Sequence, residues 1–454
     1  MIRREDMSEN LSKWQMIKNI INLGVPVIVE NILIVLLGVV DMYFVGKIGT
    51  DAIAGVGITN LIVNIYTAFF IAIGIGTTAV VSRNIGAKKL SLASEDTKQA
   101  IMLGLIIGAI VALINLAFGK NIMQIIGAKS SVVDGALPYY MVITIPLVFL
   151  CLNVILSSVL RGAGDTRTPM KAGLISNLIN IVLDYILIFG IMNFSGLGIV
   201  GAALATTISR IISVIVLMNS IMKGKNSTAL DLSGKWKIRK DVIKSITMIG
   251  IPAGVEKLIM RSGQVVYGSM IVSIGTSAYA AHNVAGTIES VTYLPAMGFG
   301  IAASTLIGQN LGAKKIKEAR MYGLYSYYIS AVFMSLMGIL MYLFAPSLAK
   351  LFTKDIIVIK QSVQVVRLIA LFQPMLCVTV VIASALQGAG DTKFPMYSSL
   401  IGIWGIRVLG VYILAINLNF GLLGVWIAYA ADISIRAIIL MIRYLRGKWT
   451  FIEI

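Results

Sequence analysis

Twelve apolar runs follow one another along the chain, separated only by short polar or Gly/Pro-rich breaks. Each run is long enough for a helix that crosses a bilayer, which takes about 20 residues. The predicted spans lie near 19–46, 52–80, 99–118, 137–160, 170–190, 199–221, 245–273, 277–307, 322–345, 362–386, 396–416 and 421–442. Only 13% of the 454 residues are charged, against about 25% in soluble domains. The predicted fold class is therefore an all-α polytopic membrane protein with 12 transmembrane helices, which excludes a soluble enzyme or a disordered chain.

The basic residues predict the orientation of the chain in the membrane. With a cytoplasmic N-terminus, 26 lysines and arginines fall on the inner side and six on the outer side. Positive charge collects on the cytoplasmic side of membrane proteins, so we expect both termini to be cytoplasmic and the protein to lie in the cell membrane. The net charge of +18 is then explained by topology and contact with lipids, and we expect no binding of nucleic acid.

The sequence repeats itself at an offset of 226 residues. LRGAGDTRTPM at 160–170 returns as LQGAGDTKFPM at 386–396, and RNIGAKK at 83–89 returns as QNLGAKK at 309–315. Each half holds six spans, an even number, so the repeats are parallel and predict two six-helix bundles around a cleft. Because one chain encloses its own cleft, we expect a monomer that works by alternating access. The predicted domains are a cytoplasmic segment 1–18, an N-lobe 19–221, a linker 222–244, a C-lobe 245–442 and a cytoplasmic tail 443–454.

Charged residues inside the N-lobe spans point to a cation site. A charge at membrane depth costs about 2.5–3.5 kcal/mol, so each one is a functional hypothesis. Glu30 and Asp41 are about three turns apart on one face of the first span, and Asn180 and Asp184 share a face of the fifth. With the hydroxyl of Thr206, these oxygens suit Na⁺ or a proton held by a buried carboxylate. The alternative is that the acids are paired structural groups.

The C-terminal half lacks this acid pair. Asp41 corresponds to Tyr267 and Asp184 to Gly410, so we expect cation coupling in the N-lobe alone. Glu30 and Glu256 are repeat partners, each four residues after a proline, which favours a shared structural role.

Other polar residues in the C-lobe spans fall into two groups. Arg261 and Arg407 are expected to neutralise Glu256, Glu289 or Asp432 rather than bind a cationic compound. The candidates for lining a substrate cleft are Met260, Gln264, Tyr267 and Glu289.

The motifs together resemble those of the multidrug and toxic compound extrusion (MATE) family. GAGDT follows the fourth and tenth spans, N(I/L)GAKK follows the second and eighth, and GAALAT opens the sixth; VVDMYFVG and NLINIVLDY complete the pattern. The resemblance covers nearly the whole chain. It implies a secondary active antiporter that exports amphipathic or cationic organic compounds in exchange for Na⁺ or H⁺, with no other cofactor. It also implies a cation-coupling site, which as a Na⁺ site would be the metal site, at Asp41, Asn180, Asp184, Ala202 and Thr206.

Other functions remain open or are excluded by the residues. Some MATE members use a C-lobe carboxylate eight residues after the proline of the seventh span, where this chain has Met260. A flippase for lipid-linked saccharides would need a cationic cavity, with which Arg261 and Arg407 are compatible, and a narrow-specificity metabolite exporter is a further alternative. No Walker-type nucleotide loop, HExxH motif or Ser/His/Asp set is found, so we do not expect an enzyme.

Overall fold

The computed structural model describes residues 12–127, 130–192, 194–223 and 230–454. Residues 1–11 of the predicted N-terminal segment and residues 224–229 of the predicted linker lie outside the described residues. The N-lobe helices are α1 Lys13–Gly46, α2 Thr50–Gly86, α3 Leu90–Ile125, α4 Ser130–Thr144, α5 Leu147–Gly162, α6 Arg167–Phe189 and α7 Ile199–Lys223. A short antiparallel hairpin, β1 Gly190–Ile191 and β2 Phe194–Ser195, joins α6 to α7. The C-lobe helices are α8 Lys240–Ile274, α9 Thr276–Gly312, α10 Ile316–Lys350, α11 Ile356–Ala370, α12 Gln373–Gly388, α13 Lys393–Leu400 and α14 Gly421–Arg446.

Two of the twelve spans are broken helices. The helices α4 and α5 form one span with a bend of 40°, and α11 and α12 form another with a bend of 58°. Pro146 precedes the first residue of α5, and a proline also stands in the first turn of α12, where the missing N–H breaks the helical ladder. The helix α13 continues as π-helical turns at Ile401–Val408 and Val411–Asn417, which complete a span near the predicted 396–416.

The span count agrees with the sequence. Within the described residues, nine continuous helices and the two bent pairs are long and apolar enough to cross a membrane. The twelfth, α8, has 35 residues and is more polar because Glu256, Lys257 and Arg261 lie in its middle. The prediction of a twelve-helix membrane protein is confirmed.

The repeat also appears in the contacts inside each lobe. The Arg161 Nη2 atom donates to both carboxylate oxygens of Glu30, at 2.7 and 2.8 Å. In the C-lobe the repeat partner of Arg161 is Gln387, whose Nε2 donates to Glu256 at 2.9 Å, and Ser399 donates to the other oxygen at 3.1 Å. Each glutamate therefore has a partner at the matching position of its own lobe.

The two lobes meet at the end of the bundle where α1 begins and α14 ends, which we call the terminal end. Here the last turns of α2 and α9 cross so closely that a Cβ on Gly86 would lie 1.8 Å from the Gln309 carbonyl oxygen, and one on Gly312 would lie 1.9 Å from the Arg83 oxygen. Gly86 and Gly312 are repeat partners. Glycine is required at both positions because the backbones touch.

Every hydrogen bond between the lobes in the described parts of the chain lies at this end. Gln309 donates to the Gly162 carbonyl at 3.0 Å, and its repeat partner Arg83 donates to the Ala389 carbonyl at 3.4 Å. Arg83 also donates to the Ile452 carbonyl at 2.8 Å. The segments RNIGAKK and QNLGAKK thus hold the lobes together, because each reaches the GAGDT turn of the opposite half.

Candidate functional site

Three of the predicted site residues meet inside the N-lobe. Asp41 lies on α1, and Asn180 and Asp184 lie one turn apart on α6, where both are 1% exposed. With its amide oriented to satisfy its neighbours, Asn180 donates to Asp41 Oδ1 at 3.0 Å and to Asp184 Oδ2 at 3.1 Å. The two carboxyl groups are themselves within hydrogen-bonding reach of each other.

The contact between the two carboxyl groups decides what this site can hold. Two buried carboxylates in contact repel each other strongly unless they share a proton or a cation. The Oδ1 atom of Asp184 is buried and has no hydrogen-bond partner in the described structure, so one strong acceptor remains free. This arrangement fits either a proton or a small monovalent cation between Asp41 and Asp184.

The helix α7 contributes to the site through its backbone. The Asn180 oxygen accepts a hydrogen bond from the backbone N–H of Thr206 at 3.2 Å. Ala202 is buried one turn earlier and forms no hydrogen bond with the cluster within the described residues. The structure therefore brings Thr206 to the cluster by its N–H, while the predicted roles of its hydroxyl and of the Ala202 carbonyl stay predictions.

Two further residues surround the cluster. Arg210, on α7, lies within electrostatic range of Asp41, and the buried Tyr139 on α4 is in range of Arg210 and both aspartates. Arg210 is the repeat partner of Arg436, and the sequence alone assigned no role to Arg210 or to Tyr139. No local pattern marks Tyr139, because it stands in an apolar run among other aromatic residues.

The matching region of the C-lobe is an arginine–aspartate network. Arg407 Nε donates to Asp432 Oδ2 at 2.8 Å, and Arg436 Nε donates to Asp432 Oδ1 at 2.6 Å. The Arg407 guanidinium also lies 3.9 Å from the ring centre of Tyr429, whose hydroxyl donates to Glu289 at 2.7 Å. The expectation that Arg407 neutralises a buried acid is correct, and the acid is Asp432.

The expectation for Arg261 is wrong. Its Nη1 donates to the Gln264 side-chain oxygen at 3.0 Å, and it pairs with none of the three acids named for it. Arg261 comes five positions after Glu256 on α8, so the two side chains point about 140° apart around the helix. Glu256 points into the C-lobe, and Arg261 is exposed.

The residues predicted to line a cleft are divided between the surface and the interior. Gln264 is exposed, and Met260 and Glu289 are half-buried. Tyr267 differs from the expectation: it is 9% exposed, with its ring against Arg407 and His282, because its register on α8 is close to that of Glu256. It lies within the C-lobe rather than on an open wall.

Comparison with known proteins places this geometry in a family. The family model described as MatE matches residues 26–186 and again 252–413, two segments that begin 226 residues apart. The chain is 31% identical over 438 residues to a probable multidrug resistance protein, NorM, of Thermotoga maritima, covering 95% of this chain and 93% of that protein. It is 26% identical over 424 residues to an uncharacterized transporter, YisQ, of Bacillus subtilis, covering 93% of each.

Solved structures show the same fold. An outward-facing multidrug resistance MATE family transporter of the MOP superfamily aligns with a TM-score of 0.88 at 24% identity, covering 95% of this chain and 97% of that one. A MOP superfamily transporter from Pyrococcus furiosus aligns with a TM-score of 0.89 at 23% identity, covering 96% and 97%. With the duplicated twelve-helix bundle and the family match over both halves, this chain belongs to the MatE family of multidrug efflux membrane transporters.

Proposed function

We propose that the protein is a secondary antiporter that exports amphipathic organic compounds, cations among them, in exchange for Na⁺ or H⁺. The observation that carries the proposal is the cluster of the half-buried Asp41 with the buried Asn180 and Asp184. Two acids that must share a cation or a proton give the N-lobe two states, loaded and empty. The terminal end is then the cytoplasmic side, and both termini are cytoplasmic.

The coupling step follows from the positions of these residues. Asp41 is on α1 and Asp184 on α6, so neutralising the pair removes a repulsion between these two helices. The helix α1 also packs against α9 of the C-lobe, where a Cβ on Gly24 would lie 2.8 Å from Phe299. A shift of α1 on cation binding is thereby transmitted to the contact between the lobes. Each charge that moves inward along a potential of 100 mV supplies about 2.3 kcal/mol.

The proposal is tested by efflux of ethidium, a fluorescent cationic dye, in everted vesicles that contain the protein. Dye movement is measured under an imposed Na⁺ gradient in one set of vesicles and under an imposed pH gradient in another set. Dye movement under one gradient supports antiport and identifies the coupling ion. No movement under either gradient, with the protein folded and inserted, overturns the proposal and favours the flippase or the narrow metabolite exporter.

A further inference from the structure

The middle of α8 carries two basic side chains with no acidic partner among the residues that the structure describes. Lys257 and Arg261 lie four residues apart near the centre of this 35-residue helix. Lys257 is half-buried and Arg261 is exposed, and neither forms an ion pair within the described residues. By contrast, Arg407 and Arg436, which also lie within C-lobe spans, each form an ion pair with Asp432.

The position of these two residues on α8 shows what they face. Gly250, Gly254, Lys257 and Arg261 are separated by four, three and four residues, so they form one stripe along the helix. At the end of the stripe nearer the terminal end, a Cβ on Gly250 would lie 2.8 Å from the Ala72 carbonyl oxygen. A Cβ on Gly254 would lie 3.1 Å from the Ala72 side chain. This face of α8 therefore packs against α2 of the N-lobe.

Beyond Gly254, away from the terminal end, the same stripe becomes exposed. Lys257 and Arg261 thus face the N-lobe across the cleft, whereas the neighbouring exposed face of α8 is apolar, with Ile251 and Val255. A charged side chain at membrane depth that faces a water-filled cavity marks a substrate or ion pathway. A basic pair at i and i+4 can hold an oxyanion from two sides, and a guanidinium binds a carboxylate or phosphate through two hydrogen bonds.

We propose that Lys257 and Arg261 form an anion subsite on the C-lobe wall of the cleft, which binds the carboxylate, sulfonate or phosphate group of an amphipathic substrate. The inference rests on the proposed transport function and extends it, because the cleft then accepts zwitterionic and anionic compounds as well as cations. Gln264 supports the subsite by orienting Arg261 through the 3.0 Å hydrogen bond, which leaves the other guanidinium N–H groups free. The repeat partners are Asn31 and Val35, so the N-lobe has no such pair.

The test measures binding, so that its result does not depend on transport. The full chain in lipid nanodiscs is titrated against fluorescein, an amphipathic carboxylate dye, and fluorescence anisotropy gives the dissociation constant. We expect the double variant Lys257→Gln/Arg261→Gln to bind fluorescein at least tenfold more weakly than the native protein. The charge-keeping variant Lys257→Arg/Arg261→Lys should stay within about threefold of it.

A matched control uses another lysine of the same helix. Lys244 is exposed near the terminal end of α8, away from the cleft, so Lys244→Gln should leave fluorescein binding unchanged. Ethidium binding should also survive in the double variant, which shows that the cleft is intact. Equal fluorescein affinity in the native protein and the double variant, or no fluorescein binding by the native protein, would overturn the subsite. Failure of ethidium efflux in vesicles would instead overturn the proposed antiport, so the two failures are distinguishable.

Discussion

The N-lobe and the C-lobe place different charges at matching positions of one fold. Asp41 and Asp184 of the N-lobe correspond to Tyr267 and Gly410 of the C-lobe, while Thr206 corresponds to Asp432. The N-lobe therefore carries acids on α1 and α6, whereas the C-lobe carries one acid on α14, whose carboxylate accepts hydrogen bonds from two arginines. One lobe holds two acids in contact, and the other pairs one acid with two arginines.

We propose that this difference separates a site that can change its charge from one that cannot. In the proposed mechanism, the acid pair of the N-lobe gains or loses a cation or proton according to the surrounding solution. The network of Arg407, Asp432 and Arg436 has a carboxylate that accepts from both guanidiniums, so no free acceptor remains to recruit a cation. Duplication preserved the helices and their crossing at Gly86 and Gly312, and left the buried polar groups free to diverge.

The largest effect is expected from Asp432→Asn. It leaves Arg407 and Arg436 buried without a carboxylate, which should lower the free energy of unfolding by about 3–5 kcal/mol. Thr206→Ala at the repeat position should cost less than about 1 kcal/mol. Cys151 and Cys377 are both fully buried, so labelling by a thiol-reactive dye during heating reports unfolding. Equal shifts of the melting temperature in both variants would show that the lobes do not differ in this way.

Replacement by glutamine should lower the free energy of unfolding by different amounts at Glu30 and at its repeat partner Glu256. Glu30→Gln leaves the Arg161 guanidinium without its ion pair and should cost about 2 kcal/mol, since the pair is only partly exposed. Glu256→Gln keeps an oxygen that can accept from Gln387 or Ser399 and should cost about 1 kcal/mol. The same thiol-labelling assay measures both. A larger loss for Glu256→Gln would contradict the pairing described for the two lobes.

The close crossing of α2 and α9 at Gly86 and Gly312 is the feature in which the two lobes should respond alike to substitution. Gly86→Ala and Gly312→Ala each place a methyl group against backbone of the other lobe, so either change should push the terminal end apart. We expect dye transport to fall about tenfold in both variants, which corresponds to about 1.4 kcal/mol. Gly38→Ala is the control, because a Cβ there meets nothing within 4 Å. Loss in only one of the two variants would show that the crossing is not symmetric in function.

Much of the architecture could be predicted from sequence, because apolar runs and an ungapped repeat are long-range patterns that single residues do not disturb. Asp41, Asn180 and Asp184 were also predictable, since buried charge is rare and helical spacing puts Asn180 and Asp184 on one face. The apolar runs do not reveal the helix breaks before α5 and within the tenth span, or the π-helical turns after α13. These features depend on packing between helices.

Pairings between distant helices were the least predictable part. The predicted span 137–160 leaves Arg161 just outside the helix, yet Arg161 lies at the end of α5 and reaches Glu30 on α1. Arg261 was paired by charge alone, although helical geometry turns it away from Glu256. A comparison of LRGAGDT with LQGAGDT would have pointed to Arg161, because its repeat partner Gln387 contacts the matching glutamate.

In the proposed mechanism the N-lobe acid pair couples transport to a cation, and Asp41→Asn tests this coupling most directly. Ethidium binding and gradient-driven ethidium efflux are measured on this variant, with Tyr267→Phe at the repeat position as the control. The account predicts that Asp41→Asn keeps ethidium binding and loses efflux by about 100-fold, while Tyr267→Phe keeps both. Efflux by Asp41→Asn at the native rate under the same ion gradient would contradict the account.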